Sequence, residues 1–144
     1  MRIALDTNIL SAVLSGEPTA ASVVRRLSQA RQQGDVLVIC GLVYVELLAH
    51  PNMTRELRDD FLADTGMVVE LDLSREVWEL ASDAYWQYIQ RRRASAVAAP
   101  RRVPADFLIG AHAQTRADAF FTLDLGLPVN YPGLRLIETA LNAR

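Results

Sequence analysis

The stretch Val36-Leu37-Val38-Ile39-Cys40 runs without a break into Gly41-Leu42-Val43-Tyr44-Val45-Glu46-Leu47-Leu48-Ala49. The first five residues are a continuous apolar run rich in β-branched side chains. A strand with one face in water would alternate polar and apolar residues; this one does not, so it reads as a strand covered on both faces. Gly41 to Ala49 reads as a helix stopped by His50-Pro51. A covered strand feeding a helix is the building block of α/β folds.

The same alternation extends outward. Residues 2–5 form a short apolar strand that ends at Asp6, and Thr7 to Leu14 looks helical. Gly16-Glu17-Pro18 breaks that helix, Thr19 is placed to cap a second one reaching about Gln33, and Gly34-Asp35 is a turn. Past the central stretch, Thr54 to Ala63 is a helix and Met67 to Leu71 a third strand. Ser74 is placed to cap a long helix in which Val77, Leu80, Ala81, Ala84, Tyr85 and Tyr88 follow helical spacing. Arg91 to Arg102 reads as a loop, with extension of the preceding helix as the alternative because Ala and Arg are good helix formers, and Pro104 starts a helix through about Thr115. Ala119 to Thr122 and Leu134 to Ile137 are the last two strands. There are no repeats and no interdomain linker. The expectation is one domain over 1–144, a three-layer α/β/α sandwich around a mostly parallel sheet. Ligand sites in such sheets lie at the carboxyl ends of the strands.

Composition narrows the class. The chain has 144 residues, of which 51% are hydrophobic and 22% charged, enough for a core and unlike a disordered chain. No apolar run reaches the roughly 18 residues that span a bilayer. The first residues carry no signal-peptide pattern. Cys40 is the lone cysteine, so no intrachain disulfide can form. The chain is read as cytoplasmic. Its net charge of −2 does not announce a nucleic-acid binder, yet all fifteen basic residues are arginine. Five of them, Arg91, Arg92, Arg93, Arg101 and Arg102, fall in one segment with no acid among them, a local basic patch that the total hides.

Four acids occupy positions where a carboxylate is costly or exposed to function. Asp6 directly follows the first strand; its bland role is a helix cap. Glu46 lies in a nearly all-apolar helix, where it either faces water on a narrow stripe or faces a cation. Asp106 opens the apolar helix Asp106-Phe107-Leu108-Ile109-Gly110-Ala111-His112-Ala113, where the helix dipole alone would favour it. Asp124 ends Phe120-Phe121-Thr122-Leu123-Asp124, where a turn aspartate is equally ordinary. Several carboxylates meeting in one cleft repel one another and call for a cation. Hard oxygen donors select Mg²⁺ or Mn²⁺, and no Cys/His cluster of zinc spacing competes.

Leu5-Asp6-Thr7-Asn8, Val45-Glu46-Leu47, Pro104-Ala105-Asp106-Phe107-Leu108-Ile109-Gly110-Ala111 and Thr122-Leu123-Asp124, in this order, resemble the PIN-domain family, in particular toxin nucleases of the VapC type. The resemblance covers essentially the whole chain. It implies that Asp6, Glu46, Asp106 and Asp124 are catalytic acids that bind Mg²⁺ or Mn²⁺, with Asn8 and Thr122 as polar supports. It implies hydrolysis of RNA, in-line attack by water leaving a 5′-phosphate and a 3′-hydroxyl, a cognate antitoxin that presents an Arg or Lys to the acids, and a homodimer. A cation would neutralise the phosphodiester, acidify a bound water and stabilise the leaving oxygen. Two departures from the family stand out. Leu125-Gly126-Leu127-Pro128 follows Asp124 where an aromatic residue is usual, and the segment before Asp106 is longer and richer in arginine. Arg92, Arg93, Arg101 and Arg102 are the candidate RNA-phosphate contacts, in a mobile clamp, with a solvated loop or a patch for an acidic antitoxin as the alternatives.

The remaining polar residues have bland readings. His112 on an apolar helix is more often packed or hydrogen-bonded than catalytic. His50 could touch Glu46 across one helical turn or simply sit at a helix end. Trp78, Tyr85, Trp86 and Tyr88 suit core or dimer surface, or else base stacking. Asp118 is a turn residue, and Asp59, Asp60 and Asp64 a solvated helix face. A phosphatase of the haloacid dehalogenase type would need a second acid where Asn8 stands and a lysine the chain lacks. A structure-specific or housekeeping nuclease is compatible with the same fold, and so is a non-catalytic interaction module.

Overall fold

Every expected strand takes its place in one five-stranded sheet of the computed structural model, which describes residues 1–95 and 101–139. The strands are β1 (Arg2–Leu5), β2 (Val36–Cys40), β3 (Val68–Glu70), β4 (Ala119–Phe121) and β5 (Leu136–Ile137), in the order β3-β2-β1-β4-β5. All four pairings are parallel, which carries the expectation of a mostly parallel sheet to its limit. Side chains of successive strand residues point to opposite faces. Ile3-Ala4-Leu5, Leu37-Val38-Ile39-Cys40 and Ala119-Phe120-Phe121 are buried without a gap, so both faces of the sheet are covered.

The helices are α1 (Thr7–Ser15), α2 (Ala20–Gln32), α3 (Gly41–Glu46), α4 (Arg55–Thr65), α5 (Arg75–Ala94) and α6 (Pro104–Arg116). Thr54, expected as the first residue of α4, is its cap, its hydroxyl accepting from Leu57 N at 3.2 Å. Thr19 and Ser74 hold the cap positions of α2 and α5 but make no side-chain cap bond. The helix expected over Gly41–Ala49 is α3 followed by a tighter 3-10 turn at Leu47–Ala49.

The basic segment corrects the loop expectation at its start. Arg91, Arg92 and Arg93 form the last turn of α5, because Arg and Ala are good helix formers and cations suit a helix C-terminus. Ala96 to Pro100 and residues 140–144 lie outside the described residues.

From β1 the chain moves outward through β2 and β3, then returns through α5 and α6 to place β4 on the other side of β1. The carboxyl ends of β1 and β4 therefore flank a topological switch point, where a crevice opens in parallel sheets. Helix α6 is locked beside it by a close contact. Gly110 lies against the ring of Tyr131, whose hydroxyl donates to Phe107 O at 2.5 Å. A Cβ at Gly110 would stand only 2.3 Å from that ring.

Candidate active site

Asp6 is the first residue past β1, and its N–H donates to Phe121 O of β4 at 3.0 Å. That bond ties the two strand ends together and turns the Asp6 side chain into the crevice. The carboxylate is buried and well supplied with donors. Oδ1 accepts from Thr7 N at 2.7 Å, so Asp6 does cap α1. Oδ2 accepts from Thr122 Oγ1 at 2.6 Å and from Asn8 Nδ2 at 3.0 Å. Asn8 and Thr122 are in turn braced. Asn8 Oδ1 accepts from Leu123 N at 3.0 Å, and Thr122 Oγ1 accepts from Asp124 N at 3.0 Å and Asn8 Nδ2 at 3.2 Å. The two residues expected to support the acids contact Asp6 directly.

Asp6, Glu46, Asp106 and Asp124 all line one cleft of about 360 Å³, together with Thr7, Asn8, Ser11, Glu17 and Leu123. Each acid is delivered by a different element. Glu46 is the last residue of α3 and accepts from the Thr7 hydroxyl. Asp106 sits in the first turn of α6 and accepts from Val103 N at 3.2 Å. Asp124, just past β4, is gripped on both oxygens by the Arg102 guanidinium, at 2.6 and 2.9 Å. Four separately ambiguous carboxylates thus converge, while Glu17, Ser11 and Thr7 join them unannounced. Glu17 in Gly16-Glu17-Pro18 carried only the signal of a helix stop. It reaches the cleft because Gly16 adopts a left-handed conformation and folds the chain back, Glu17 N donating to Ala12 O at 3.1 Å.

The electrostatics separate these acids. Burial pushes the Asp6 carboxyl above its ordinary range, and the charges of Glu46 and Asp106 push the same way, against the hydrogen bonds from Thr122 and Thr7. All its donors are uncharged. Asp124 moves the other way. The Arg102 guanidinium holds its carboxyl below the usual range, helped by the N–H groups of Gly126 and Leu127.

Arg102 is therefore a fixed ion-pair partner, which corrects its expected place in a mobile clamp. Its own N–H also donates to Tyr88 Oη at 2.9 Å. Tyr88 packs on Phe107, with ring centroids 5.3 Å apart, so this aromatic serves the fold. Arg91 bonds Asn130, while Arg93 and Arg101 are exposed. His112 is buried outside the cleft with Nε2 2.7 Å from Glu70, and His50 turns to Ser15 at 2.9 Å and does not reach Glu46. Asp118 accepts from Arg2 N at 2.7 Å, a structural role as expected.

The donor set suits a hard divalent ion. Among the described residues, no three Asp, Glu, His or Cys side chains form a ready-made cation cage. Mg²⁺ seldom asks for one: it uses one or two carboxylates and keeps several waters. An open cleft lined by oxygen donors, with a buried carboxylate that has no ion-pair partner among the described residues, meets that requirement.

A family model described as PIN domain matches residues 3–129, from β1 through the cleft to the segment beyond Asp124. The chain belongs to the PIN domain family. Comparison with curated proteins finds no match. Solved structures share the PIN fold. One is a chain of VapBC2 from Rickettsia felis bound to a DNA fragment from their promoter, with a TM-score of 0.68 at 19% identity over 95% of this chain and 98% of that one. Another is VapBC-1 from nontypeable Haemophilus influenzae, with 0.65 at 18% over 96% and 98%. FitAcB from Neisseria gonorrhoeae follows with 0.61 at 18% over 95% and 97%. At such identities the likeness is one of fold. Among the described residues no helix of this PIN domain is long and apolar enough to cross a membrane.

Proposed function

We propose that this single PIN domain is a Mg²⁺- or Mn²⁺-dependent endoribonuclease, the toxin of a toxin–antitoxin pair in the cytoplasm. The observation that carries the reading is Asp6: a buried carboxylate at the switch point of a parallel sheet, held by uncharged donors and facing Glu46 and Asp106 across one cleft. A carboxylate in that state calls for a cation.

Asp6, Glu46 and Asp106 would hold the ion, each already oriented: Asp6 by Thr7, Asn8 and Thr122, Glu46 by the Thr7 hydroxyl, and Asp106 by Val103 N. Bound there, a divalent ion supplies charge neutralisation of the phosphodiester, an acidified water and stabilisation of the leaving oxygen. The protein's part is placement. It orients these carboxylates toward one cleft, which is open so that a strand of RNA can enter.

The toxin reading is supported by neighbours named as VapBC and FitAcB assemblies. An antitoxin would cover the cleft and offer it a basic side chain. A homodimer would use exposed apolar residues such as Trp78 and Trp86.

The decisive assay incubates the purified protein with single-stranded RNA and Mn²⁺. Cleavage should stop with EDTA and be lost in Asp6→Asn, which should still fold. Robust cutting in EDTA removes the metal mechanism. A nuclease that is harmless when expressed and has no tight protein partner would be a housekeeping enzyme and not a toxin. Absence of metal binding by calorimetry would leave a non-catalytic module.

A further inference from the structure

Among the described residues, Asp124 differs from the other three expected ligands in already being paired with a cation. Both of its oxygens receive the Arg102 fork, Nη1 on Oδ2 at 2.6 Å and Nη2 on Oδ1 at 2.9 Å. Oδ1 accepts two further bonds, from Gly126 N at 2.9 Å and Leu127 N at 3.3 Å. A carboxylate oxygen offers about two lone-pair sites, so three donors fill Oδ1, while Oδ2 carries Nη1 alone and the guanidinium charge beside it opposes a metal cation at its remaining site. A planar bidentate Arg–carboxylate pair is also among the strongest hydrogen-bonded ion pairs.

The surroundings are shaped for the arginine. Its backbone is tied to Tyr88 in the α5–α6 layer. The guanidinium lies over Gly126, where a Cβ would stand 2.5 Å from Nη2 and 3.3 Å from Asp124 Oδ1. Glycine here leaves the space that the guanidinium fills. Gly126 lies within Leu125-Gly126-Leu127-Pro128, the stretch after Asp124 that departs from the pattern the resemblance implied.

Resting on the nuclease reading above, we propose that Asp124 is an anchor for Arg102 and not a metal ligand. Arg102 is the built-in positive charge on that side of the cleft. The protein then binds a single divalent ion through Asp6, Glu46 and Asp106, and Arg102 takes the place a second ion would occupy at Asp124.

The test is Mn²⁺ binding to the whole chain, followed by electron paramagnetic resonance of the free ion, with circular dichroism to establish folding. Wild type should bind one Mn²⁺. Asp124→Asn should leave stoichiometry and affinity essentially unchanged. Asp106→Asn should weaken binding on the order of tenfold or more, since even outer partners of a metal matter on that scale. Arg102→Gln frees Asp124 and should tighten Mn²⁺ binding or add a second ion. Gly126→Ala keeps the arginine but evicts its flexible end, and should do the same. If Asp124→Asn fails to fold, Gly126→Ala decides the matter by the same titration. Loss of Mn²⁺ affinity in Asp124→Asn equal to that in Asp106→Asn overturns the proposal while sparing the nuclease reading. Unaltered binding in both Arg102→Gln and Gly126→Ala also overturns it. A wild type that binds no Mn²⁺ overturns both.

Discussion

Replacing Gly110 with alanine sets two effects of opposite sign against each other. Helix propensity alone favours Ala over Gly in the interior of α6 by about 1 kcal/mol. Packing opposes it. The new Cβ would stand 2.3 Å from Tyr131 Cε2 and 2.8 Å from Cδ2, whereas carbon atoms rest at about 3.6 Å, so ring or helix must yield by about 1.3 Å. The ring cannot slip aside easily. Tyr131 is buried, its N–H donates to Pro128 O at 2.8 Å, its carbonyl accepts from Leu134 N at 3.0 Å, and its hydroxyl is bonded to Phe107 O. Overpacking of this kind costs about 1–3 kcal/mol, and a pinned ring puts it at the upper end. Losing the tyrosine hydrogen bond adds about 1 kcal/mol. Packing wins, with a net loss of about 2–3 kcal/mol and a fall in Tm of about 5–10 °C for a chain of this size. Asp106 lies one turn earlier on the same helix, so RNA cleavage should fall as well. Thermal melts of Gly110→Ala, Tyr131→Leu and the double variant measure the coupling. The alanine should be close to neutral once the ring is gone. A higher Tm for Gly110→Ala in the wild-type background, or an equal loss in both backgrounds, would refute the reasoning.

Thr122→Val removes a hydroxyl that bonds Asp6, Asn8 and the Asp124 N–H together; stability should drop by about 1–3 kcal/mol in urea and cleavage should drop with it. Thr122→Ser should keep most of both, and a valine variant as good as the serine one would show that the hydroxyl is idle. Glu70 supplies a pH dependence. Burial raises its carboxyl, but the His112 hydrogen bond and the Arg2 and Arg116 charges outweigh it and lower the group overall; burial also lowers His112, which therefore serves as a neutral donor at neutral pH. Its contribution is therefore complete above the ordinary glutamate value of about 4.3 and is lost as pH falls through the lower folded value. Urea midpoints of wild type and Glu70→Gln should differ most at neutral pH and converge in acid; a gap constant with pH would count against the network. If exposed Arg93 and Arg101 contact RNA as proposed, each changed to Ala should flatten the slope of log K on log salt by about 0.7 for single-stranded RNA. Unchanged slope and affinity would remove them from the interface.

Strand and helix identities were legible in the chain alone, because covered strands write continuous apolar runs and helices write a period of their own. Val36–Cys40 needed no partner to be read, and neither did the apolar setting that made Asp6, Glu46 and Asp106 conspicuous. Helix extent was legible only in part. Arg91–Ala94 stays helical because local propensity and the helix dipole prevail over the polar composition that suggested a loop. Everything that depends on two distant segments meeting came from packing. Local periodicity cannot show that Glu17 swings into the cleft, since the turn at Gly16 directs it there. Nor can it show that His112 is bound by Glu70, 42 positions away. Arg102 and Asp124 are 22 positions apart, and only the return of the chain from α6 to β4 brings them face to face. A carboxylate's identity is written in the sequence; the charge it faces is set by which elements the fold places beside it.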